Sequence, residues 1–209
     1  MAHRSPHDAG TLSQSLPPGV TFSEAAVALV VSQQERSILL IRRADHPQDP
    51  WSGHMALPGG RRDPGDDTTL WTAVRESQEE VGLDLTQAPL LFQLPPLPAH
   101  SRRKGRGVLV TAYAFLVESE CPTFPNEEVA EVHWIPLELL ESGALNGFYE
   151  LREKEPGEGA RVVKMPAFHY EGRVIWGVTH RILERFLRQL AETAGDPPSG
   201  LGTETAVSS

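Results

Sequence analysis

Short apolar runs separated by polar turns dominate the chain, with two helical periods set among them. Ala25–Val31 is a β-branched-rich apolar run, and a polar turn at 32–36 leads into Ser37–Ile41; the two predict a hairpin or adjacent strands. His54–Leu57, Leu90–Leu94, Val108–Val117 and Val129–Ile135 also read as strands, with Val108–Val117 the longest. Arg161–Met165 and Arg173–Trp176 are strand candidates flanking a turn at Glu171-Gly172. Thr68–Val81 has a helical period and is closed by Gly82, a short helix is expected at Pro136–Ser142, and an amphipathic helix runs from Val178 to Ala191 with Ile182, Phe186 and Leu190 on one face. Strands outnumber helices and the helices are scattered among them, which predicts an α/β fold with helices on the faces of a mixed sheet. The two ends lack such a pattern. Residues 1–20 and 195–209 are rich in Ser, Pro and Gly and are expected to be disordered tails around one domain at 21–194.

Composition narrows the function classes. A chain of 209 residues, 39% hydrophobic and 22% charged, suits one α/β domain. The formal net charge of −9 argues against binding a nucleic acid polymer, while leaving room for a small phosphorylated substrate whose charge a metal and local cations offset. No apolar run approaches the ~20 residues of a membrane span. The N-terminus has no apolar core of a secretory signal, so a soluble cytoplasmic protein is expected. The single cysteine, Cys121, has no partner for an internal disulfide and reads as structural rather than nucleophilic. Oligomeric state is left open.

The chemistry concentrates between Leu57 and Leu83. On a helix, Glu76, Glu79 and Glu80 fall at i, i+3 and i+4, within about 100° of one another. Leu70, Val74, Ser77 and Val81 occupy nearly the opposite face, which can pack on a sheet. Three neighbouring carboxylates repel one another. They are either a solvated acidic face or the oxygen cluster that a hard cation such as Mg²⁺ seeks. The flanks favour the second: Gly59-Gly60 allows close backbone approach, and Arg75 lies four residues before Glu79, where it can orient a carboxylate.

The run Arg75-Glu76-Ser77-Gln78-Glu79-Glu80-Val81-Gly82-Leu83 resembles the second half of the Nudix box, Arg-Glu-(apolar)-x-Glu-Glu-x-Gly-(apolar), with Ser77 in place of the apolar residue. Gly60 lies fifteen residues before Arg75 rather than fourteen, and the acidic residue ahead of the helix is Asp66 or Asp67 instead of Glu. The resemblance implies a Nudix-type α/β/α sandwich with a mixed sheet and a loop-helix-loop metal site. It also implies a hydrolase in which water attacks a phosphorus of a diphosphate. Carried over, Glu76, Glu79, Glu80 and the Gly59 carbonyl are metal ligands for Mg²⁺, with Mn²⁺ a possible substitute, and Arg75 holds the glutamates in place. Glu127 and Glu128 are candidates for the general base, or else a solvated loop pair.

Beyond the box, Leu39-Leu40-Ile41 followed by Gly53-His54-Met55-Ala56-Leu57-Pro58-Gly59-Gly60 resembles the signature of coenzyme A pyrophosphatases. Leu57 stands where that branch has Phe, Ile41 where it has Thr, and Asp49 where it has Arg. Trp176-Gly177-Val178-Thr179 resembles the branch's Trp-Gly-x-Thr, and the matches span about residues 37–190. A small-molecule nucleotide-type substrate is therefore expected, coenzyme A or a derivative of it. Nucleoside triphosphates including oxidised ones, ADP-ribose, or an inactive Nudix-fold binding module are the alternatives. Coenzyme A carries a ribose 3′-phosphate, and Arg102, Arg103, Lys104 and Arg106 form the one dense basic run in an acidic chain. That run is either a phosphate site or an ordinary exposed loop; His54 and Trp51 either line the pocket mouth or pack.

Overall fold

The computed structural model describes residues 21–46, 52–100, 106–153 and 161–195. Its centre is two parallel strands, β1 (Thr21–Ser32) and β7 (Arg106–Val117), in register from Thr21↔Arg106 to Ser32↔Val117. Both strands lie inside the sheet with both faces covered. This is why their sequences are nearly continuous apolar runs instead of alternating ones. At twelve residues each they are equally long, so Val108–Val117 does not stand alone as the longest strand.

Around this pair the sheet runs β3-β2-β1-β7-β5, with β2 (Ser37–Arg43), β3 (Met55–Ala56) and β5 (Leu90–Gln93). Three more strands attach: β4 (Gly59–Arg61) to β1, β6 (Leu97–His100) to β7, and β8 (Val129–Pro136) to β2. A second, three-stranded sheet contains β9 (Asn146–Glu153), β10 (Arg161–Tyr170) and β11 (Arg173–Trp176), in the order β11-β10-β9. The helices are α1 (Thr69–Val81), α2 (Leu137–Glu141) and α3 (Gly177–Gly195).

Alternation along β1 sorts the core into two layers. Ala26, Ala28 and Val30 face α1, where they meet Ala73, Val74 and Val81. Leu29 and Val31 face the other way, onto Ile182, Leu183 and Phe186 of α3 and Phe168 and Ile175 of the second sheet. The result is the expected α/β/α sandwich. The second sheet is also held by charge: Glu131 of β8 accepts from Arg42 Nε of β2 at 2.8 Å and from Arg173 Nε of β11 at 2.6 Å. These two guanidinium groups, with His133, hold the Glu131 carboxyl down at about 2, the His133 hydrogen bond contributing most.

Strands β4, β6 and β9 are absent from the sequence-based expectation. In β4 two glycines carry no strand signal, and in β6 Pro98 argues against a strand. β9 is nearly all polar or exposed, and only its pairing with β10 makes it a strand. The expected tail residue Gly195 ends α3 instead. The remaining tail positions, Trp51, and Arg102, Arg103 and Lys104 lie outside the described residues. No helix among the described residues is long and apolar enough to cross a membrane.

Candidate active site

Helix α1 is set by its two ends. Thr68, in extended conformation, is the N-cap, its hydroxyl accepting from Trp71 N at 3.2 Å. Gly82 (φ 73°) closes the helix in the left-handed conformation, its N–H donating to Gln78 O at 3.1 Å. The last turn is held by a second segment: Phe124 N donates to Val81 O at 2.9 Å and Asn126 N to Glu80 O at 3.0 Å. That tether brings Glu127 and Glu128 to the same end of the helix as the glutamates.

The three glutamates share one side of α1 but sit at different depths. Glu79 is half exposed, Glu76 is mostly covered, and Glu80 is only 2% exposed. Spacing places the three on one face; their depth depends on what packs there. Glu80 points under β4, where Gly59 N donates to its Oε2 at 2.8 Å and Arg43 lies 3.6 Å from its Oε1. Glu76 lies flat against Gly60, where an added Cβ would come within 2.3 Å of its Oε1. A Cβ at Gly59 (φ 156°) would meet Ala26 O at 2.3 Å, so Gly59 tolerates no side chain, whereas one at Gly60 would displace the Glu76 carboxylate.

Arg75 is the organiser. It donates through Nε to Asp66 Oδ1 and through Nη2 to Asp66 Oδ2, both at 3.0 Å, and through Nη1 to Glu79 Oε2 at 2.8 Å. Its Nη2 also lies 3.0 Å from Glu76 Oε1. Asp66 is 4% exposed and accepts further from Asp63 N at 3.0 Å and Thr72 Oγ1 at 2.9 Å. Of the two acidic residues ahead of the helix, Asp66 is therefore the one wired to the site. Its hydrogen bonds, those from Arg75 foremost, hold its carboxyl down at about 2, and they push the guanidinium pKa of Arg75 up.

Electrostatically the glutamates are under strain. Burial pushes Glu80 up to about 7, with the negative charges of Glu76 and Glu128 adding to it against the Gly59 N–H and Arg43. Burial likewise raises Glu76, with Glu79 and Glu128 contributing against Arg75. Among the described residues no three acidic, His or Cys side chains converge into a closed cation cage; Arg75 and the Gly59 N–H instead occupy oxygens of Glu76, Glu79 and Glu80. The donor set is nonetheless all oxygen, partly desolvated and mutually repelling, with glycine backbone pressed against it. That chemistry fits a hard divalent cation, which would relieve the repulsion.

The remaining expected residues are spread out. His54 lies just before β3, edge-on to Trp176 at 5.3 Å between ring centroids. Arg106 is exposed and opens β7 opposite Thr21, five residues (about 17 Å) along the strand from Thr111, which lies level with Ala26, the partner of Gly60. Cys121 is partly buried, its Sγ donating to Ser119 O at 3.3 Å. Asp66 and Arg43 are the members that sequence reasoning left unassigned. A carboxylate six residues after Gly60 was visible; its burial was not.

A family model for the NUDIX domain matches residues 22–154. The chain belongs to the Nudix family. Membership makes it a Nudix hydrolase, of the class that acts on phosphorus-containing anhydrides, and such hydrolases generally use divalent metal ions. Curated relatives include the uncharacterized Nudix hydrolase NudL of Yersinia pestis and that of Yersinia pseudotuberculosis, each 35% identical over 173 residues, covering 82% of this chain and 81% of theirs. Among solved structures, RenU, a Nudix hydrolase from M. smegmatis, superposes with a TM-score of 0.53 at 21% identity, covering 84% of this chain and 89% of its own. A MutT protein from Methanosarcina mazei gives 0.53 at 16% identity, covering 83% of this chain and 97% of its own. At these identities the structures attest the fold.

Proposed function

We propose that this Nudix hydrolase cleaves the diphosphate linkage of a nucleoside-diphosphate derivative with Mg²⁺, and that coenzyme A or an acyl or oxidised derivative is its substrate, giving 3′,5′-ADP and phosphopantetheine. The observation that carries the reaction is the carboxylate set of α1, spread over Glu76, Glu79 and Glu80 and braced by Arg75 on a buried Asp66. Glu76, Glu79, Glu80 and the Gly59 carbonyl would hold the cation, which when bound supplies water activation and neutralises charge on the departing phosphate. Mn²⁺ can substitute on the same all-oxygen donor set.

The chain's own groups do the rest. Arg75 fixes the rotamers of Glu76 and Glu79 so that little ordering is required when substrate arrives. Glu128 takes the proton of the attacking water on its carboxylate. Its charge reaches both Glu76 and Glu80, and its backbone is pinned by Ala44 N donating to Glu128 O at 2.8 Å. Glu127 is the second candidate. The coenzyme A assignment rests on the signatures at 39–60 and 176–179. Arg106, at one end of the basic run, is exposed and displaced along β7 from the carboxylates, as a contact to a phosphate remote from the scissile bond requires.

Turnover with Mg²⁺ against coenzyme A, ADP-ribose, NADH and an oxidised deoxynucleoside triphosphate tests the substrate. Preference for coenzyme A supports the full reading. Preference for ADP-ribose or the triphosphate replaces the substrate and keeps the chemistry. No turnover of any of them points to a binding module.

A further inference from the structure

Three aromatic side chains form a ladder across the joint between the two sheets. Tyr149 and Trp176 stack with ring centroids 4.3 Å apart and planes 24° from parallel, and His54 meets Trp176 edge-on. Tyr149 pairs with Met165 and Trp176 with Ala167, so both rings project from one face of the second sheet. His54 immediately precedes β3 of the main sheet. Its carbonyl accepts from Arg43 N at 3.0 Å, and the Arg43 guanidinium is the group 3.6 Å from Glu80. The ladder therefore begins one residue away from the carboxylate site.

All three rings remain partly exposed. A cluster that served only to join the sheets would be expected inside. That joining is already done by the fully buried Ile175, by Phe168, and by Glu131 with Arg42 and Arg173. Accessible stacked rings beside a site for phosphate suit a flat, apolar ligand group, because every nucleobase presents a π-face that stacks without regard to its hydrogen-bonding edge.

We propose that the Tyr149–Trp176–His54 ladder is the stacking surface for the base of the nucleotide substrate, while its diphosphate lies on the α1 carboxylates. This inference rests on the nucleotide reading above. The base would supply binding energy without taking part in bond breaking, and would set how the diphosphate is presented to Glu76, Glu79 and Glu80.

AMP and ribose 5-phosphate differ only by the base. Calorimetric titration of the full chain with each, in the presence of Mg²⁺, isolates the base contribution. Wild type is expected to bind AMP tighter by about fivefold to about 150-fold, equivalent to about 1–3 kcal/mol. In Trp176→Leu that difference should collapse while ribose 5-phosphate binding is retained, and Trp176→Phe should restore most of it. Phe148→Ser, next to Tyr149 on β9 but on the opposite face and 63% exposed, should leave both affinities unchanged. Melting curves of each variant accompany the titrations. AMP binding no tighter than ribose 5-phosphate in wild type, including no binding of either, overturns the proposal. So does Trp176→Leu weakening both ligands equally, which would make the ladder a structural joint, or weakening neither. Failure of the hydrolase reading is distinguishable, since it would abolish turnover in the substrate panel and leave the AMP advantage intact.

Discussion

Replacing Asp66 with Asn removes one charge without changing shape, and its cost can be worked from the contacts. Asp66 accepts four hydrogen bonds, two of them from Arg75 at 3.0 Å and one each from Asp63 N and Thr72 Oγ1. An Asn amide has one acceptor oxygen. If that oxygen keeps Asp63 and Thr72, the NH₂ group faces Arg75 Nε and two donors oppose each other. If it turns, the loop contacts are lost instead. Breaking one partner of a buried ion pair costs about 3–5 kcal/mol. Arg75 keeps Glu76 and Glu79, so about 2–4 kcal/mol is expected, a large share of the ~5–15 kcal/mol of a typical domain. Urea unfolding monitored by fluorescence measures it from the midpoint at constant slope. The pH dependence is a second signature. The folded carboxyl is held at about 2, below its ordinary 3.8, so its stabilisation is present above pH ~4 and lost as pH falls through about 2. Asp66→Asn should lack this part of the acid transition. A freed Arg75 should also compete with the cation for Glu76 and Glu79, raising the Mg²⁺ concentration needed for half-maximal rate. A stability loss under ~1 kcal/mol with unchanged Mg²⁺ dependence would refute the bracing role.

Glu80 is raised to about 7, so the folded protein holds a proton there that the unfolded chain releases near 4.5. Without cation, stability should be greatest below pH ~4.5 on this account and decline as pH rises through about 7. Apparent Mg²⁺ affinity should rise up to about tenfold per pH unit below 7 and level off above it, as titration at several pH values would register. Glu128→Gln should lower kcat by ~10²-fold or more and Glu127→Gln far less; the reverse order in a rate assay would move the base to Glu127. Ser77 Oγ is buried with no hydrogen-bond partner among the described residues, so Ser77→Ala should raise stability by up to ~1–2 kcal/mol in urea unfolding, and a loss would mean the hydroxyl is satisfied in solution.

Much of the fold was readable because it follows from local periodicity. The span of α1 came from its 3.6-residue pattern between Thr68 and Gly82, and β1 and β7 from apolar runs that only a strand covered on both faces would carry. The identities on the carboxylate side of α1 were equally plain, since spacing alone puts Glu76, Glu79 and Glu80 together on one side. What spacing cannot supply is depth. Glu79 and Glu80 are adjacent in the chain, yet one is half exposed and the other buried, because β4 returns over the helix and offers Glu80 the Gly59 N–H. The choice of Asp66 over Asp67 was likewise made in three dimensions, by Arg75 and Thr72 closing around one carboxylate. Strands β6 and β9 exist through their pairing with β7 and β10 and have little propensity of their own. Trp176, Tyr149 and His54 come from three distant segments, and no sequence pattern brings them into one ladder. Periodicity is a property of neighbours along the chain, whereas burial, ion pairing and ring stacking depend on what distant segments deliver to the same place.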